Sequence, residues 1–303
     1  MYVEPTATQC PLCQGDAISV RWAGSGDWAG DSQQAFLCTT TSRVRPEILR
    51  CAGCSHEFSN PASWPEDLSH EYDILEDTEY LGMVDIKRRT FTRAADLLGR
   101  YAKAPARVLE IGAYAGLFLE ICRDRGYDVV GVEPSAWGAA LAVANGHAVH
   151  HGTAEQHLVD DSLGTFDAVV SWDVLEHVAD PIRFMNLAAQ RVRPGGILIV
   201  STLDRTNWFA RLMGKRWPWL IPMHLHYFDQ KSVIDMARAN GMVMLKTKAH
   251  VHYTSAGYAA KRLLGHGDSV SSSKSLLDKA IFPVGFGDVR LYVFQKSEIP
   301  GSR

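Results

Sequence analysis

The stretch RVLEIGAYAGLFLEICRDRGYDVVGVEPS, residues 107–135, predicts a strand, a helix and a second strand in succession. RVLEI and DVVGVE are short apolar runs rich in branched side chains, and the segment between them has the length of a helix that ends at Gly126. Glu110 closes the first strand and Glu133 closes the second. Since neighbouring parallel strands end at the same sheet edge, we expect both carboxylates at one ligand site, together with the turn from Gly112 to Gly116.

The same alternation of strands and helices continues on both sides of this unit. A helix between about residues 80 and 101 precedes it, and the alternation runs up to Thr202, with helix starts at Ser135 and Pro181. This order predicts an α/β fold: a parallel sheet with right-handed crossovers and helices on both faces. Beyond Thr202 we expect one more helix after Asp229 and two final strands, MVMLKTKAHVHY and DVRLYVFQK.

The turn after the first strand decides between two classes of ligand. A dinucleotide site has the pattern G-x-G-x-x-G, in which the second glycine admits the pyrophosphate, and here that position is Tyr114. S-adenosylmethionine has no phosphate but carries an ammonium, a sulfonium and two ribose hydroxyls, for which carboxylates are natural partners. We therefore predict an S-adenosylmethionine site in which Glu133 accepts the ribose hydroxyls. Glu110 is expected to orient the methionine end, directly or through water.

Five segments together resemble the motifs of the class I S-adenosylmethionine-dependent methyltransferases, over roughly residues 80–296. They are VLEIGAYAG, VVGVEPS, GTAEQH, FDAVVSWDVLEHVADP and RPGGILIVST. The resemblance implies methyl transfer and a Rossmann-like sheet of seven strands whose last strand is antiparallel. Around STLDRTNW the chain is further similar to the ubiquinone-biosynthesis O-methyltransferases, which implies a small-molecule acceptor.

These motifs place the predicted cofactor contacts on loops that follow the strands. GTAEQH resembles the loop that flanks adenine, so Ala154 is expected to present backbone to the ring, and Glu155 is either a contact or a solvated acid at a helix start. Asp173 either contacts the methionine amine or the acceptor, or caps the turn that follows it. The full predicted set is Glu110, Gly112, Tyr114, Gly116, Glu133, Pro134, Ala154, Glu155 and Asp173.

Four of the six cysteines form two pairs, CPLC at residues 10–13 and CAGC at residues 51–54. Two Cys-x-x-Cys knuckles predict a tetrahedral zinc site, which is structural because all four positions are filled by protein. Residues 14–50 between the pairs are more than a compact ribbon has, so we expect an inserted loop. The predicted ligands are Cys10, Cys13, Cys51 and Cys54. Cys38 and His56 are weaker alternatives, and four ordinary thiols are the competing interpretation.

The whole chain resembles a bacterial arrangement in which a ribbon of this kind precedes the methyltransferase domain, often in pathways for surface glycans or secondary metabolites. The 303 residues leave room for about two domains. We predict a zinc ribbon over residues 1–62, a linker over 63–79 and a methyltransferase domain over 80–303, with a lid-like insert at about 203–228.

A hydroxyl acceptor benefits from a base, and histidine is best matched to neutral pH. His177 follows the fourth strand, while His224 and His226 lie in MHLHYF after the fifth. If MHLHYF is extended, His224 and His226 point the same way and face one pocket. A structural histidine is the competing interpretation for each, and we predict that at least one of the three is the base. Glu176 is expected to cap a turn or to pair with a neighbour rather than to react.

The segment from Leu203 to His250 holds eight basic and three acidic residues, together with Trp208, Trp217 and Trp219. Such a segment forms a lid over the acceptor, a surface that contacts membrane lipid, or an insert packed against the sheet.

The overall charge argues against nucleic acid as a partner. The net charge of -3 gives no general attraction to polyanions. The first 60 residues hold four basic side chains, Arg21, Arg43, Arg45 and Arg50, against more acids, whereas phosphate contacts need Lys and Arg. The chain has no apolar run of about 20 residues that would span a bilayer and no signal-peptide pattern, so we expect a cytoplasmic protein.

We therefore predict a methyltransferase that uses S-adenosylmethionine to O-methylate a small hydroxylated acceptor, either a glycan, a natural product or a quinone-like molecule. The alternatives are a zinc-ribbon RNA methyltransferase, a C-methyltransferase of a nucleotide sugar, and a cofactor-binding scaffold without catalysis. The sequence does not indicate an oligomeric state.

Overall fold

The computed structural model describes residues 9–25, 44–259 and 280–298. Its strands form a large central sheet, a smaller sheet that contains the cysteine knuckles, and a two-stranded ribbon. In chain order the strands are β1 (Ile18–Trp22), β2 (Ile48–Cys51), β3 (Glu57–Ser59), β4 (Arg107–Ile111), β5 (Asp128–Glu133), β6 (Ala148–His151), β7 (Phe166–Trp172), β8 (Val192–Leu203), β9 (His226–Tyr227), β10 (Met242–Ala249), β11 (His252–Ser255), β12 (Ile281–Val284) and β13 (Val289–Lys296).

The central sheet has seven strands in the order β10-β13-β8-β7-β4-β5-β6. From β8 to β6 all neighbours are parallel, whereas β13 runs antiparallel to both β8 and β10. The predicted α/β fold, with seven strands and an antiparallel last strand, is confirmed. From β4 the chain adds β5 and β6 on one side, and it then returns to add β7 and β8 on the other side of β4. The strand order therefore reverses between β4 and β7. Open α/β sheets bind ligands at such a reversal.

Helices cover both faces of this sheet. Val108 and Leu109 on β4 belong to opposite apolar clusters, because successive side chains of a strand point to opposite faces. Phe118 of the helix Leu117–Arg123 packs in the cluster of Val108, and Phe184 of the helix Pro181–Arg191 packs in the cluster of Leu109. The helices are α1 (Leu68–Asp73), α2 (Thr78–Gly82), α3 (Val84–Leu98), α4 (Leu117–Arg123), α5 (Ala136–Ala144), α6 (Ala154–His157), α7 (Pro181–Arg191), α8 (Trp208–Met213) and α9 (Gln230–Arg238).

Side-chain caps begin several helices where the sequence predicts them. The Ser135 hydroxyl accepts from the Gly138 N–H at 3.0 Å at the start of α5, and the Asp229 carboxylate caps α9. Pro181 takes the first position of α7, where its missing N–H has no partner to lose. The helix predicted between residues 80 and 101 is instead two helices, because α2 ends and α3 begins on either side of Met83.

The smaller sheet joins the cysteine-bearing N-terminal region to a segment far along the chain. Its strand order is β1-β2-β3-β9, and Phe58 of β3 pairs with His226 of β9. The Arg205 guanidinium reinforces the joint by donating to the Glu57 carboxylate at 3.2 Å and to the Ser55 carbonyl. The N-terminal region therefore completes its sheet with a strand of the predicted insert, while the domain boundaries themselves stay a prediction.

The predicted strand MVMLKTKAHVHY is divided in two. β10 ends at Ala249 in the central sheet, and β11 begins at His252 and pairs with β12 outside that sheet. The break turns residues 250–255 over the carboxyl edge of the central sheet. Across the three described ranges, none of the helices has both the length and the apolar character needed to cross a membrane.

Candidate active site

A cavity of about 1450 Å³ lies at the carboxyl ends of β4, β5 and β7. This volume exceeds the roughly 300–1,000 Å³ of a typical small-molecule site, so it has room for two ligands side by side. Eight of the nine predicted cofactor residues line it: Glu110, Gly112, Tyr114, Glu133, Pro134, Ala154, Glu155 and Asp173.

The two glycines of the first turn are required by the protein's own packing. Gly112 has φ +83°, and a Cβ there would lie 2.5 Å from Val174 Cγ2. Gly116 has φ +80° and is absent from the cavity wall, and a Cβ there would lie 2.8 Å from His147 Cδ2. Atoms of the protein itself therefore leave no space for a side chain at either position.

Tyr114 occupies the position where a dinucleotide turn has glycine, and it keeps the left-handed backbone with φ +46°. Its backbone N–H donates to Glu133 Oε2 at 2.6 Å. Its ring packs edge-on against Tyr80 at 4.5 Å between centroids and lies 5.8 Å from Trp137. The turn is therefore held by the carboxylate of the next strand and by aromatic packing.

Glu133 is a buried carboxylate with backbone donors on both oxygens. Besides the Tyr114 N–H on Oε2, the Ser135 N–H donates to Oε1 at 2.8 Å. Burial raises the pKa of Glu133 to about 7, and these two N–H groups oppose that rise. The carboxylate is thus fixed in orientation, and each oxygen retains a lone pair for a hydroxyl donor.

Glu110 contrasts with Glu133 because its Oε2 accepts no hydrogen bond from the described residues, although the side chain is buried. Burial and the nearby charge of Glu133 raise the pKa of Glu110 well above its ordinary value. A buried polar atom without a partner is rare in folded proteins, and a carboxyl in that state is suited to a cationic ligand.

Asp173 follows β7 in a left-handed backbone conformation, with φ +54°. Ser201 holds it there: the Ser201 hydroxyl accepts from the Asp173 N–H at 2.8 Å and donates to Asp173 Oδ1 at 2.5 Å. Burial would raise the pKa of this carboxyl, but His252, His250 and Ser201 bring it below the ordinary value. The turn at residues 175–177 has no side-chain cap, so the predicted capping role is not observed.

His250 and His252 also line the cavity, and the sequence analysis missed both. His252 Nε2 lies 3.5 Å from Asp173 Oδ2, and the two imidazole rings are 4.2 Å apart. Burial lowers the pKa of His250 to about 3. The alternation in AHVHY, with histidines two residues apart at a strand end, is the signal that could have identified them.

His177 and His224 lie together in the cavity wall, with ring centroids 4.8 Å apart. His177 Nδ1 is 3.0 Å from the Met223 carbonyl, and His224 Nδ1 is 2.7 Å from the Trp219 carbonyl. Because a carbonyl only accepts, each Nδ1 carries the proton and each Nε2 is the basic nitrogen in the neutral ring. Burial lowers the pKa of His177 to about 4, so its neutral form prevails at neutral pH.

His226 is separated from the other two histidines. It is fully buried in the smaller sheet, where its Nδ1 lies 3.1 Å from His56 Nε2, and it does not line the cavity. The expectation that His224 and His226 face one pocket is therefore wrong. Strand alternation applies only within β9, which begins at His226, whereas His224 sits in the preceding turn.

Tyr72 and Glu176 lie next to the histidine pair. The Tyr72 hydroxyl lies 3.1 Å from His177 Nδ1, a contact that sequence reasoning missed. The Thr202 hydroxyl donates to Glu176 Oε2 at 2.7 Å, which agrees with the expectation that Glu176 pairs with a neighbour. Burial raises the pKa of Glu176 to about 8.

The four paired cysteines converge in the N-terminal region. Their sulfur atoms all lie within 4.8 Å of one another, with Cys10 to Cys54 and Cys13 to Cys51 at 3.5 Å. Tetrahedral zinc with Zn–S bonds of about 2.3 Å would place its sulfurs about 3.8 Å apart. His56, the weaker alternative ligand, faces His226 instead, and Cys38 lies outside the described residues.

Comparison with known proteins agrees with this geometry. The family model described as "Methyltransferase domain" matches residues 86–247. This chain belongs to the S-adenosylmethionine-dependent methyltransferases. The methyltransferase is 33% identical over 162 residues to a ubiquinone biosynthesis O-methyltransferase of Maricaulis maris, covering 48% of this chain and 62% of that protein. It is 41% identical over 108 residues to the corresponding Azorhizobium caulinodans protein, and this match covers 33% of this chain and 41% of that protein. The matches span less than two thirds of these relatives.

Solved structures show the same fold. A chain from the Haloferax volcanii complex of a methyltransferase with the activator Trm112 superposes with a TM-score of 0.53 at 17% identity, covering 78% of this methyltransferase and all of that chain. A Bacillus halodurans methyltransferase-like structure gives 0.50 at 15% identity, covering 68% and 98%.

Proposed function

We propose that this methyltransferase transfers a methyl group to a hydroxyl oxygen of a small acceptor, with His177 as the base. The observation that carries this proposal is the histidine pair, His177 and His224, which lines the same cavity as Glu110 and Glu133. Similarity to the O-methyltransferases of ubiquinone biosynthesis supports transfer to oxygen.

The chain's carboxylates suit the methyl donor. Bound S-adenosylmethionine supplies an electrophilic methyl group on a sulfonium. Glu133, held by two backbone N–H groups, would accept the ribose hydroxyls, and Glu110, with its unpartnered Oε2, would bind the methionine end. Asp173, fixed by Ser201, would contact the methionine amine or the acceptor, while Ala154 and Glu155 would flank the adenine.

His177 is placed to take the acceptor's proton. Its Nδ1–H donates to the Met223 carbonyl, which leaves Nε2 to accept the hydroxyl proton as the oxygen attacks. The Asp173 charge acts on His177 and raises its pKa against the effect of burial, which stabilises the imidazolium that forms. His224 is the second candidate, because an acceptor that reaches one ring also approaches the other.

The test measures transfer of a labelled methyl group to a panel of phenols, nucleotide sugars and RNA, with wild-type enzyme and the variants His177→Asn and His224→Asn. We expect transfer to hydroxyl oxygen and a larger loss for His177→Asn. Transfer only to carbon or to RNA would contradict the proposal. Among the described residues that line the cavity, one is a lysine, Lys87, and one is an arginine, Arg183. Two such side chains are few for binding the diphosphate of a nucleotide sugar.

We also propose that the four cysteines bind one structural zinc ion. Their sulfur spacing suits a tetrahedral thiolate site, and all four positions come from protein. Metal analysis of the purified protein should give one zinc per chain, and Cys13→Ser together with Cys51→Ser should abolish it. Zinc retained by that double variant would contradict the assignment.

A further inference from the structure

The cavity contains a second buried carboxylate region, remote from Glu110 and Glu133 in the sequence. Asp288 lines the cavity wall just before β13 and is only 5% exposed. It follows Gly287, which has φ +81°, and Phe286 on the other side of this glycine also lines the wall. The proposed methyl transfer uses none of these residues.

Two tryptophans of the insert hold this carboxylate from one side. The indole N–H groups of Trp217 and Trp219 both donate to Asp288 Oδ2, at 2.9 and 3.0 Å. Both bonds fall on the same oxygen, and both donors are neutral. They orient the carboxylate without neutralising it.

No cationic side chain balances Asp288 among the residues that the structure describes. None of their Lys, Arg or His nitrogens forms an ion pair within 4.0 Å of it. Arg45 reaches the same loop, but its guanidinium donates to the carbonyls of Trp217 and Leu220 instead. A buried carboxylate without a counter-ion is unfavourable, so a cationic ligand would gain a charge-assisted hydrogen bond there.

Aromatic side chains lie near this carboxylate in the cavity wall, because Trp219 donates to it and Phe286 precedes it by two residues. Phe209 and Phe286 stack at 4.3 Å between centroids, and both line the cavity together with Trp219. Aromatic faces attract ammonium groups through the ring quadrupole, and carboxylate and rings together form the usual surroundings of a bound amine.

Trp219 connects this region to the proposed reaction centre. Its indole N–H donates to Asp288, while its carbonyl accepts from His224 Nδ1 at 2.7 Å. The carboxylate and the histidine pair therefore lie on either side of one residue. Both regions line the same cavity.

We propose that Asp288, with Phe209, Phe286 and Trp219, binds a cationic amino group carried by the methyl acceptor. The acceptor is then an amine-bearing hydroxyl compound whose ammonium is recognised at Asp288 while its hydroxyl faces His177 and His224. The assignment of the amine to the acceptor rests on the proposed function. The binding of an amine at Asp288 is measurable without any methyl transfer.

The test must separate this role from simple support of the two indoles. Asp288→Asn retains a side-chain oxygen that accepts both indole N–H groups and removes only the charge. Asp180 also lines the cavity and caps α7 by accepting from the Arg183 N–H, and asparagine is an equally good cap. Asp180→Asn is therefore the matched control for loss of one negative charge from the cavity wall.

The probes are 2-phenylethylamine, which is protonated at neutral pH, and its neutral analogue 2-phenylethanol. Calorimetry on the full metal-loaded chain saturated with S-adenosylhomocysteine should show the amine binding at least about tenfold tighter than the alcohol. Asp288→Asn should lower the affinity for the amine to that for the alcohol, and it should leave the affinity for the alcohol unchanged. Asp180→Asn should keep the preference.

Several results would overturn the assignment. They are equal affinity of the two probes in the wild type, no measurable amine binding, a preference that survives Asp288→Asn, and a preference lost equally in Asp180→Asn. If Asp288→Asn does not fold, the affinities of the wild type for the amine and the alcohol still test the assignment. Failure of the proposed function is seen separately, as absence of methyl transfer to hydroxyl compounds while the amine preference persists.

Discussion

The proposed donor half and the proposed acceptor half of the cavity are built in different ways. The proposed donor half comes mainly from one continuous strand–helix–strand unit, in which Glu110 and Glu133 lie near the ends of adjacent parallel strands, and the loops that follow β6 and β7 add Ala154, Glu155 and Asp173. The acceptor half is assembled from separate segments around residues 61–68, 174–180, 218–224, 250–259 and 282–289. The difference indicates that donor binding depends on the local fold of the sheet, whereas acceptor binding depends on long-range assembly.

The largest expected effect tests the acceptor half alone. Replacing His177 by Asn should lower kcat by about a hundredfold to ten-thousandfold, because the asparagine amide cannot take the proton from the hydroxyl group of the methyl acceptor. Affinity for S-adenosylhomocysteine, measured by calorimetry, should stay within about twofold, since Glu110 and Glu133 are untouched. His70→Asn is the control, because His70 is exposed on α1 and outside the cavity. Unchanged kcat would remove His177 as the base.

The next effect tests the donor half. Glu110→Gln should weaken S-adenosylhomocysteine binding by about tenfold to a hundredfold, since the ligand ammonium loses a charged partner. Thermal stability should not fall, because burial disfavours the ionised carboxylate in the free protein and the isosteric amide carries no charge. Calorimetry and thermal melting measure the two properties, with Glu79→Gln at an exposed position as the control. Full affinity in Glu110→Gln would show that this carboxyl does not contact the donor.

Metal removal should affect the acceptor half of the cavity more than the donor half. β9 pairs with β3 of the cysteine-bearing region, and Trp64, whose indole N–H donates to the Ser59 hydroxyl of β3, lines the cavity, so loss of the proposed zinc ion should disturb the proposed acceptor half. We expect chelation to lower the unfolding temperature and methyl transfer, while S-adenosylhomocysteine affinity changes by less than about threefold. Added zinc should restore both. Equal loss of donor affinity would show that the halves are not independent.

The smallest effect is a pH dependence of donor binding. Glu133 has a raised pKa of about 7 in the free protein, and ribose hydroxyls bind its ionised form. Affinity for S-adenosylhomocysteine should therefore rise between about pH 6 and pH 8, by up to about tenfold per pH unit below the pKa, and then level off. Calorimetry in buffers of different ionisation enthalpy should detect proton release near pH 6. A flat profile would contradict the assigned protonation state.

The two carboxylates of the donor half could be predicted from the sequence because they lie in one short, continuous stretch of the chain. Glu110 and Glu133 follow strands that adjacent apolar runs define, and parallel pairing brings their ends together without any further information. The role of the glycines could not be predicted in this way. Contacts of Gly112 with Val174 and of Gly116 with His147 join distant parts of the chain.

The acceptor half could be predicted only in part. His177 directly follows a predicted strand, so its position was accessible from the sequence. His226 was not, because its burial depends on the pairing of β9 with β3 across more than 160 residues of chain. Asp288 was missed for the same reason, since its partners Trp217 and Trp219 approach it only after the insert folds over the sheet edge.

A crystal structure with bound S-adenosylmethionine tests the central claim most directly. We expect the ribose hydroxyls to donate to Glu133 and the methionine end to lie at Glu110. The methyl group should point toward His177, in the part of the cavity lined by the distant segments. A donor bound elsewhere, or a methyl group directed away from His177 and His224, would contradict it.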